Sequence, residues 1–429
     1  MTPSNPTPTT RSRRLRMLLG AVLFAGAGTC LAAGPSNLQF SGFGTLGISH
    51  VNAPEGWAFT RDLAQARNAR ETRPDLDSRL GLQLNYTPDP TLELVGQVIA
   101  TRRSEASRDS DAIEWAFAAW RPDADWTLRA GRVNLDAFLL SDHRSVGFAY
   151  PFARPPVDFY AQLPTSLDGA DLTRVWDEPN GQWRAKLFAG QASVFVTDTV
   201  RLKVKPLIGA MVSHESDGLL LRASVFHARF DNEIPIASMI LGSLDQISAV
   251  PLPQIQSDAM ELRRRSTTQG TTATYLALGA RYESNDWLLS SEYTLLRANA
   301  LGSFQAGYAS VGRRIGAWTL YTVASAVKSS EAAIASPQWG ALIAPVAGPV
   351  LAAQAQYLAD TAADFINTSR IVQRTVSLGT RWDASPRVAL KLQWDRIHVD
   401  VNGSRAWGVD ITKADATVNV GTVLLDFIF

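Results

Sequence analysis

The chain has 429 residues, of which 46% are hydrophobic, 19% charged and 9% aromatic, with ordinary glycine (30) and proline (22). That composition excludes a disordered chain and a collagen-like or low-complexity one. The formal charge of +1 is unevenly placed: residues 1–33 hold Arg11, Arg13, Arg14 and Arg16 and no acid, so the remainder carries 37 basic against 40 acidic residues, a net of −3. A weakly acidic chain argues against nucleic acid as a partner. The single Cys30 excludes disulfides and cysteine-based metal or redox chemistry.

The four arginines precede an apolar run, Met17–Gly28, and then the small residues Ala32, Ala33 and Gly34. This is the layout of a secretory leader over residues 1–33, with cleavage expected near Ala33 and an exported mature chain over 34–429. No later segment reads as a membrane-crossing helix, because the longest apolar stretch, Ala341–Ala353, is interrupted by Pro345 and Pro349.

Beyond the leader, the dominant period is two. Leu38, Phe40, Gly42, Gly44, Leu46 and Ile48 share one face of a first strand, followed by Leu80–Tyr86, Leu92–Val98, Ile113–Ala119 and Trp126–Ala130. The series continues through Ala170–Trp176, Trp183–Ala189, Ile208–Val212, Leu219–Val225, Leu276–Tyr282 and Trp287–Leu295. It ends with Phe304–Tyr308, Trp318–Ala324, Val376–Trp382, Val388–Trp394 and Val423–Phe429. These are sixteen segments of the length of a tilted membrane strand, about ten residues each. Tight connections such as Thr87–Pro90, Ser216–Gly218 and Asp383–Pro386 alternate with long ones, Ala53–Asp77, Val133–Ser166, Phe230–Gly270 and Ser329–Ser369.

The same alternation would fit a soluble sandwich with its apolar face inside. Two features favour the inverted arrangement, apolar outward. Tyr86, Trp126, Trp176, Trp183, Tyr282, Trp287, Trp318 and Trp382 gather where strands meet the tight turns, as in an interfacial girdle. Sixteen strands in one run also exceed a sandwich. The expected fold is therefore all-β: a transmembrane antiparallel barrel of about sixteen strands, with short periplasmic turns and long extracellular loops.

The mature chain resembles a Gram-negative outer-membrane porin, from Leu38-Gln-Phe-Ser-Gly-Phe-Gly-Thr-Leu-Gly47 to Val423-Leu-Leu-Asp-Phe-Ile-Phe429. Asp77-Ser-Arg-Leu-Gly-Leu-Gln-Leu84 resembles the second strand of porins. Ala130–Asn134, Phe138–Asp142 and Tyr150–Tyr160 are similar to proteobacterial porin-like proteins of unassigned substrate. The resemblance implies an outer-membrane location, a homotrimer, outer-membrane lipid around the wall and recognition of the terminal Phe429 by the barrel assembly machinery. The dense lysine and arginine ladders of phosphate-selective porins are missing, which counts against a phosphate channel.

A barrel of this size encloses an aqueous channel. Strand parity puts Arg79, Arg129, Arg184, Lys186, Arg222, Arg281, Arg381 and Lys391 in the lumen, against Glu93, Glu114, Asp171, Glu292, Asp395 and Asp426. In porins the third long loop folds inward as a constriction, and here that is Val133–Ser166, with Asp136, Asp142, His143, Arg144, Arg154 and Asp158. Asp136, Asp142 and Asp158 are expected to face the wall bases Arg129, Arg184, Lys186 and Arg222. The aromatics Phe138, Phe148, Tyr150, Phe152, Phe159 and Tyr160 are expected to pack the loop onto the wall. The bland alternative is a surface loop. Helical spacing is visible in Met260–Arg265 and in Leu351, Ala355, Leu358, Ala362 and Phe365, which reads as an external cap or trimer latch.

The five histidines are scattered, and no catalytic or nucleotide-binding motif stands in a supporting context. The expected function is passive diffusion of small hydrophilic solutes or ions, with at most a weak preference for anions and no cofactor, metal or catalysis. The alternatives are a substrate-specific channel, or a barrel that acts through its surface loops as adhesin or receptor.

Overall fold

The computed structural model describes residues 37–429 except Asp198, Ala300 and residues 408–414, so the leader, its cleavage point near Ala33 and Cys30 lie outside the described residues. The chain runs through β1 (Leu38–Asn52), β2 (Thr72–Arg73), β3 (Arg79–Asp89), β4 (Leu92–Thr101), β5 (Ile113–Trp120) and β6 (Trp126–Asn134). It continues through α1 (Val157–Tyr160), β7 (Ser166–Glu178), β8 (Gly181–Phe195), β9 (Arg201–Ser216), β10 (Leu219–Phe230), α2 (Pro235–Ile247) and α3 (Pro253–Ser266). Then follow β11 (Thr272–Glu283), β12 (Trp287–Ala298), β13 (Phe304–Ile315), β14 (Trp318–Ser329), α4 (Trp339–Thr368), β15 (Ile371–Ser385), β16 (Val388–Ser404) and β17 (Ala416–Ile428).

β2 is a two-residue bridge onto β1. The other sixteen strands pair antiparallel with their neighbours, and β1 closes the ring on β17, from Phe43 opposite Ile428 to Asn52 opposite Asn419. Every alternating segment of the sequence coincides with one strand. Among the described residues, closure of β1 on β17 leaves no strand at an open sheet edge.

The apolar face points outward: Leu46 (59% exposed), Leu187 (62%) and Leu278 (53%) stand free, whereas Thr45, Lys186 and Asp426 on the opposite parity are buried. A soluble sandwich would have the reverse. At the tight-turn ends, Trp318 stacks on Trp382 at 5.8 Å and Trp176 on Trp183 at 6.2 Å, and the Arg313 guanidinium lies over Trp287. Turn geometry follows local chemistry. Asp217 (φ 47°) and Gly218 (φ 78°) form the two-residue link between β9 and β10. Two positive φ values in succession match the twist of a hairpin, and an Asp-Gly pair tolerates them.

On the outer wall, Gly42 and Gly44 do not form a bare strip of small residues. The Phe429 and Phe427 rings lie where a Cβ at Gly42 or Gly44 would stand. α4 is long and apolar enough to cross a membrane by length and composition only, and its 30 residues are two helices joined across a kink. The break falls at Gly348, whose φ of 81° is non-helical, directly before Pro349, so the apolar stretch is interrupted at one of the two prolines, as its sequence suggests. α4 packs on α2 and α3 through Ile240, Leu244, Ile255, Leu262, Trp339 and Ile366, a second core separate from that of the barrel.

Candidate functional site

The segment between β6 and β7 enters the barrel and crosses it. Leu135, Phe138, Tyr150, Phe152, Phe159 and Tyr160 are buried in one core with wall residues. Phe138 meets Tyr275 edge-on, Phe159 meets Tyr308 and Phe152 meets Tyr321. Edge-to-face packing of this kind adds to the area buried.

Polar contacts then fasten the loop around the wall. At its start, Asp136 forms an ion pair with Lys186 (2.6 Å), contacts Arg222 and lies 3.8 Å from Arg184. Ser224 Oγ donates to the Ala137 carbonyl, and the Leu139 amide donates to Glu292. Tyr160 and Tyr308 hydroxyls also donate to Glu292. Further along, Lys391 Nζ donates to the carbonyls of Gly147, Tyr150 and Phe152 at 2.6–2.8 Å and pairs with Asp426 at 2.9 Å. Arg79 donates to the Ser145 carbonyl and the Tyr150 hydroxyl, and Arg381 to the Phe148 and Tyr150 carbonyls.

Arg154 is the densest fastening. It pairs with Asp77 and Asp395, both at 2.6 Å, and donates to Ser49 Oγ and Thr422 Oγ1. Burial disfavours the charged forms of Arg154 and Asp77, but their pairing outweighs it. The Asp77 carboxyl is held below its ordinary range and the guanidinium above its own.

All eight wall cations lie on the inner face, but few meet water. Arg79, Lys186 and Lys391 are buried beneath the loop, and the Arg222 side chain is 8% exposed. Asp136, Arg154 and Asp158 are buried too, so these seven are anchors of the loop rather than residues lining open water. The physical reason is that the loop fills the space against the wall, and desolvated charges persist only when paired.

Asp158 also departs from its expected partners. It receives hydrogen bonds from Ser325 Oγ and Gln373 Nε2 on β14 and β15, away from the basic wall. Burial, opposed by these hydrogen bonds, raises its carboxyl above the ordinary range. Arg129 pairs with Asp171 of the neighbouring strand instead of a loop acid.

Asp142 and Arg184 remain in contact with water, with side chains 45% and 35% exposed and 3.6 Å apart. Burial raises the Asp142 carboxyl, but Lys186, Arg184 and Arg129 outweigh it and hold it low. Asp142→Asn should therefore shift the reversal potential in a salt gradient toward anions without changing assembly. Asp158→Asn should leave it unmoved, since an amide can still engage Ser325 and Gln373. Equal shifts from both substitutions would overturn this division.

Two cavities flank the loop. One, of about 160 Å3, lies at the long-loop ends of β4 to β9, between the loop and residues 61–64 of the first long connection, with Arg144 and Ser145 in its lining. The other, of about 280 Å3, opens at the turn ends of β11 to β15 and is lined by His143, Arg281, Arg314 and Arg381 among others. Residues 143–145 thus stand where the two approach. Burial, opposed by Asp142 and aided by Arg281, holds the His143 imidazole below its ordinary range, so it is neutral near neutral pH.

Sequence reasoning missed Asp77, Arg103 and Gln162. For Arg103 a signal existed: Gln97 and Ile99 point inward on β4, and the same parity continued past Thr101 reaches Arg103. Gln162 carried no such signal, because it lies in an aperiodic loop.

No family model matches the chain, and no curated protein matches it. Among solved structures it is similar to Salmonella typhi OmpF in complex with daunomycin (TM-score 0.51, 11% identity, over 92% of this chain and 98% of that one). Pseudomonas putida OprB gives a TM-score of 0.51 at 9% identity, over 92% of this chain and 94% of that one. The outer-membrane channel DcaP of Acinetobacter baumannii gives 0.50 at 10%, over 92% and 99%. The shared property is the porin barrel fold.

Proposed function

We propose that this chain is an outer-membrane porin of a Gram-negative bacterium, a water-filled channel through which small hydrophilic solutes and ions diffuse passively, with no catalytic step. The observation that carries the reading is a closed sixteen-strand wall, apolar outside, with charged cavities on both sides of an inward-folded loop. An apolar exterior with a polar interior is the solvent relation of a membrane barrel, and selectivity then rests with charges at the narrowest part. In this reading residues 1–33 are a removed leader, the barrel occupies 34–429 and Phe429 addresses the chain to the assembly machinery.

The purified full chain, reconstituted in a planar bilayer, should give discrete ohmic conductance steps. Arg184 and Arg281, the wall arginines not consumed in fastening the loop or paired with a neighbouring strand, give at most a modest preference for anions. A bilayer that stays silent while the barrel is folded, judged by heat-modifiable gel mobility, overturns the channel reading. The helical cap α2–α4, with Met239, Val346 and Tyr357 exposed, favours a surface receptor in that event.

We include a homotrimer in the proposal. Ala185, Ala210 and Ala223 help form two shallow hollows on the outer face of β8 to β10, one bordered by Trp126, Trp176 and Leu276 and the other by Trp183, Leu278 and Tyr293. Crosslinking in mild detergent should yield a three-step ladder; a monomer alone removes the trimer and leaves the channel.

A further inference from the structure

The cavity at the long-loop side is lined by seven arginines and four carboxylates. Most of these charges are already engaged. Arg61 pairs with Asp62, Arg132 with Asp168, Arg201 with Asp111, and Arg102 with Asp75 just outside the lining. Arg79 is spent on the Ser145 carbonyl and the Tyr150 hydroxyl.

Arg103 and Arg144 remain. Among the described residues Arg103 has no hydrogen bond or ion pair, and Arg144 has one weak hydrogen bond, to the Leu163 carbonyl at 3.3 Å, beside the Tyr160 ring. Among the described residues Glu114 is the one lining carboxylate without an ion pair, and it lies within electrostatic reach of both arginines. Two guanidinium groups against one carboxylate leave a surplus of one positive charge.

Gln162 supplies the second, independent sign of a ligand. It is 6% exposed, lines this same cavity, and among the described residues neither its amide nitrogen nor its amide oxygen has a hydrogen-bond partner. A buried amide with both ends unsatisfied is costly, and native structures keep few of them.

We propose that this cavity is a recognition site for small monocarboxylates that also carry hydroxyl or amide groups: Arg103 and Arg144 take the carboxylate, and the Gln162 amide reads the neutral polar group. Guanidinium binds a carboxylate through parallel charge-assisted hydrogen bonds, and one bound carboxylate closes the charge balance of Arg103, Glu114 and Arg144. A primary amide both donates and accepts, so a hydroxyl satisfies either end. The inference rests on the channel reading for its physiological meaning, but binding can be measured without transport.

The test is titration calorimetry on the folded full chain in detergent, with gluconate, propionate and glucose as probes. Gluconate should bind more tightly than propionate, and glucose should not register. Arg103→Gln and Arg144→Gln should each weaken gluconate by roughly tenfold or more, the scale of one lost charge-assisted contact. Gln162→Leu should erase the advantage of gluconate over propionate while leaving propionate unchanged. This change removes an unsatisfied amide, so it should not impair folding. Should Arg144→Gln fail to fold, Arg103→Gln, at a partly exposed position, carries the same test. Equal affinity for gluconate and glucose, or gluconate affinity unchanged in Arg103→Gln, overturns the proposal. Conductance of the same preparation separates the two readings: current without gluconate binding removes this site and keeps the channel, whereas gluconate binding in a silent bilayer keeps the site and removes the channel.

Discussion

Arg154→Met should release the inward loop from the wall on the β1, β16 and β17 side and raise single-channel conductance. The wild-type guanidinium has a side chain 2% exposed and neutralises Asp77 and Asp395, themselves 0% and 5% exposed. Removing it leaves two neighbouring carboxylates without a counter-charge in a desolvated site. Breaking a buried pair by deleting one partner costs about 3–5 kcal/mol. The barrel itself, held by a closed ladder of backbone hydrogen bonds, does not have to absorb that cost. Water can enter beneath residues 150–156 instead, and the loop gives way first. Limited proteolysis should then cut within the loop, and conductance should become larger and noisier.

The pH dependence has a definite sign. The Asp77 carboxyl sits below its ordinary range in the folded chain, so its pairing contributes fully above the unfolded value, about 3.9, and is lost as pH falls through the lowered one. The wild-type fastening should therefore persist from neutral pH to well into the acid range. In Arg154→Met the two carboxylates can be relieved only by taking up a proton, so the defect of the variant should shrink on acidification. Wild-type conductance and an intact loop in Arg154→Met would show that this residue does not hold the loop.

A second large effect is expected at Asp136, on the far side of the lumen. It is the common counter-charge of Lys186 and Arg222, whose side chains are 0% and 8% exposed, with Arg184 nearby. Asp136→Asn is nearly isosteric but strands buried cations, again at a cost of about 3–5 kcal/mol. Folding yield should fall, and the temperature at which the folded band is lost on a gel should drop. Adding Lys186→Met removes one stranded charge and should recover part of that loss, because an apolar side chain is no worse buried than an unpaired ion. No recovery in the double variant would mean that Asp136 acts by shape and not by charge. Asp142→Asn, in contact with water, should change selectivity with none of these folding defects, so the loop acids separate into structural and electrostatic ones.

What could be read from the amino-acid sequence follows from how local the underlying rules are. Side chains of a strand alternate by geometry alone, so parity put Arg79, Arg129, Lys186, Arg222, Arg381 and Lys391 on one face before any partner was known. The Asp217–Gly218 turn is likewise decided within two residues, because only certain side chains accept two positive φ values. The sixteen-strand wall is the sum of such short-range rules.

The fate of the loop charges is decided by another kind of contact. Asp158 meets Gln373, 215 residues away in sequence, and Arg154 meets Asp395, 241 away. The segment between β6 and β7 has no period, so nothing in its spacing says which wall each side chain reaches. Which arginines are consumed by anchoring and which, like Arg103 and Arg144, have no ion pair among the described residues is likewise set by the path of the loop across the lumen. That path is fixed by the packing of Phe138, Phe152, Phe159 and Tyr160 against rings from three distant strands, β11, β13 and β14, that only the closed barrel brings together.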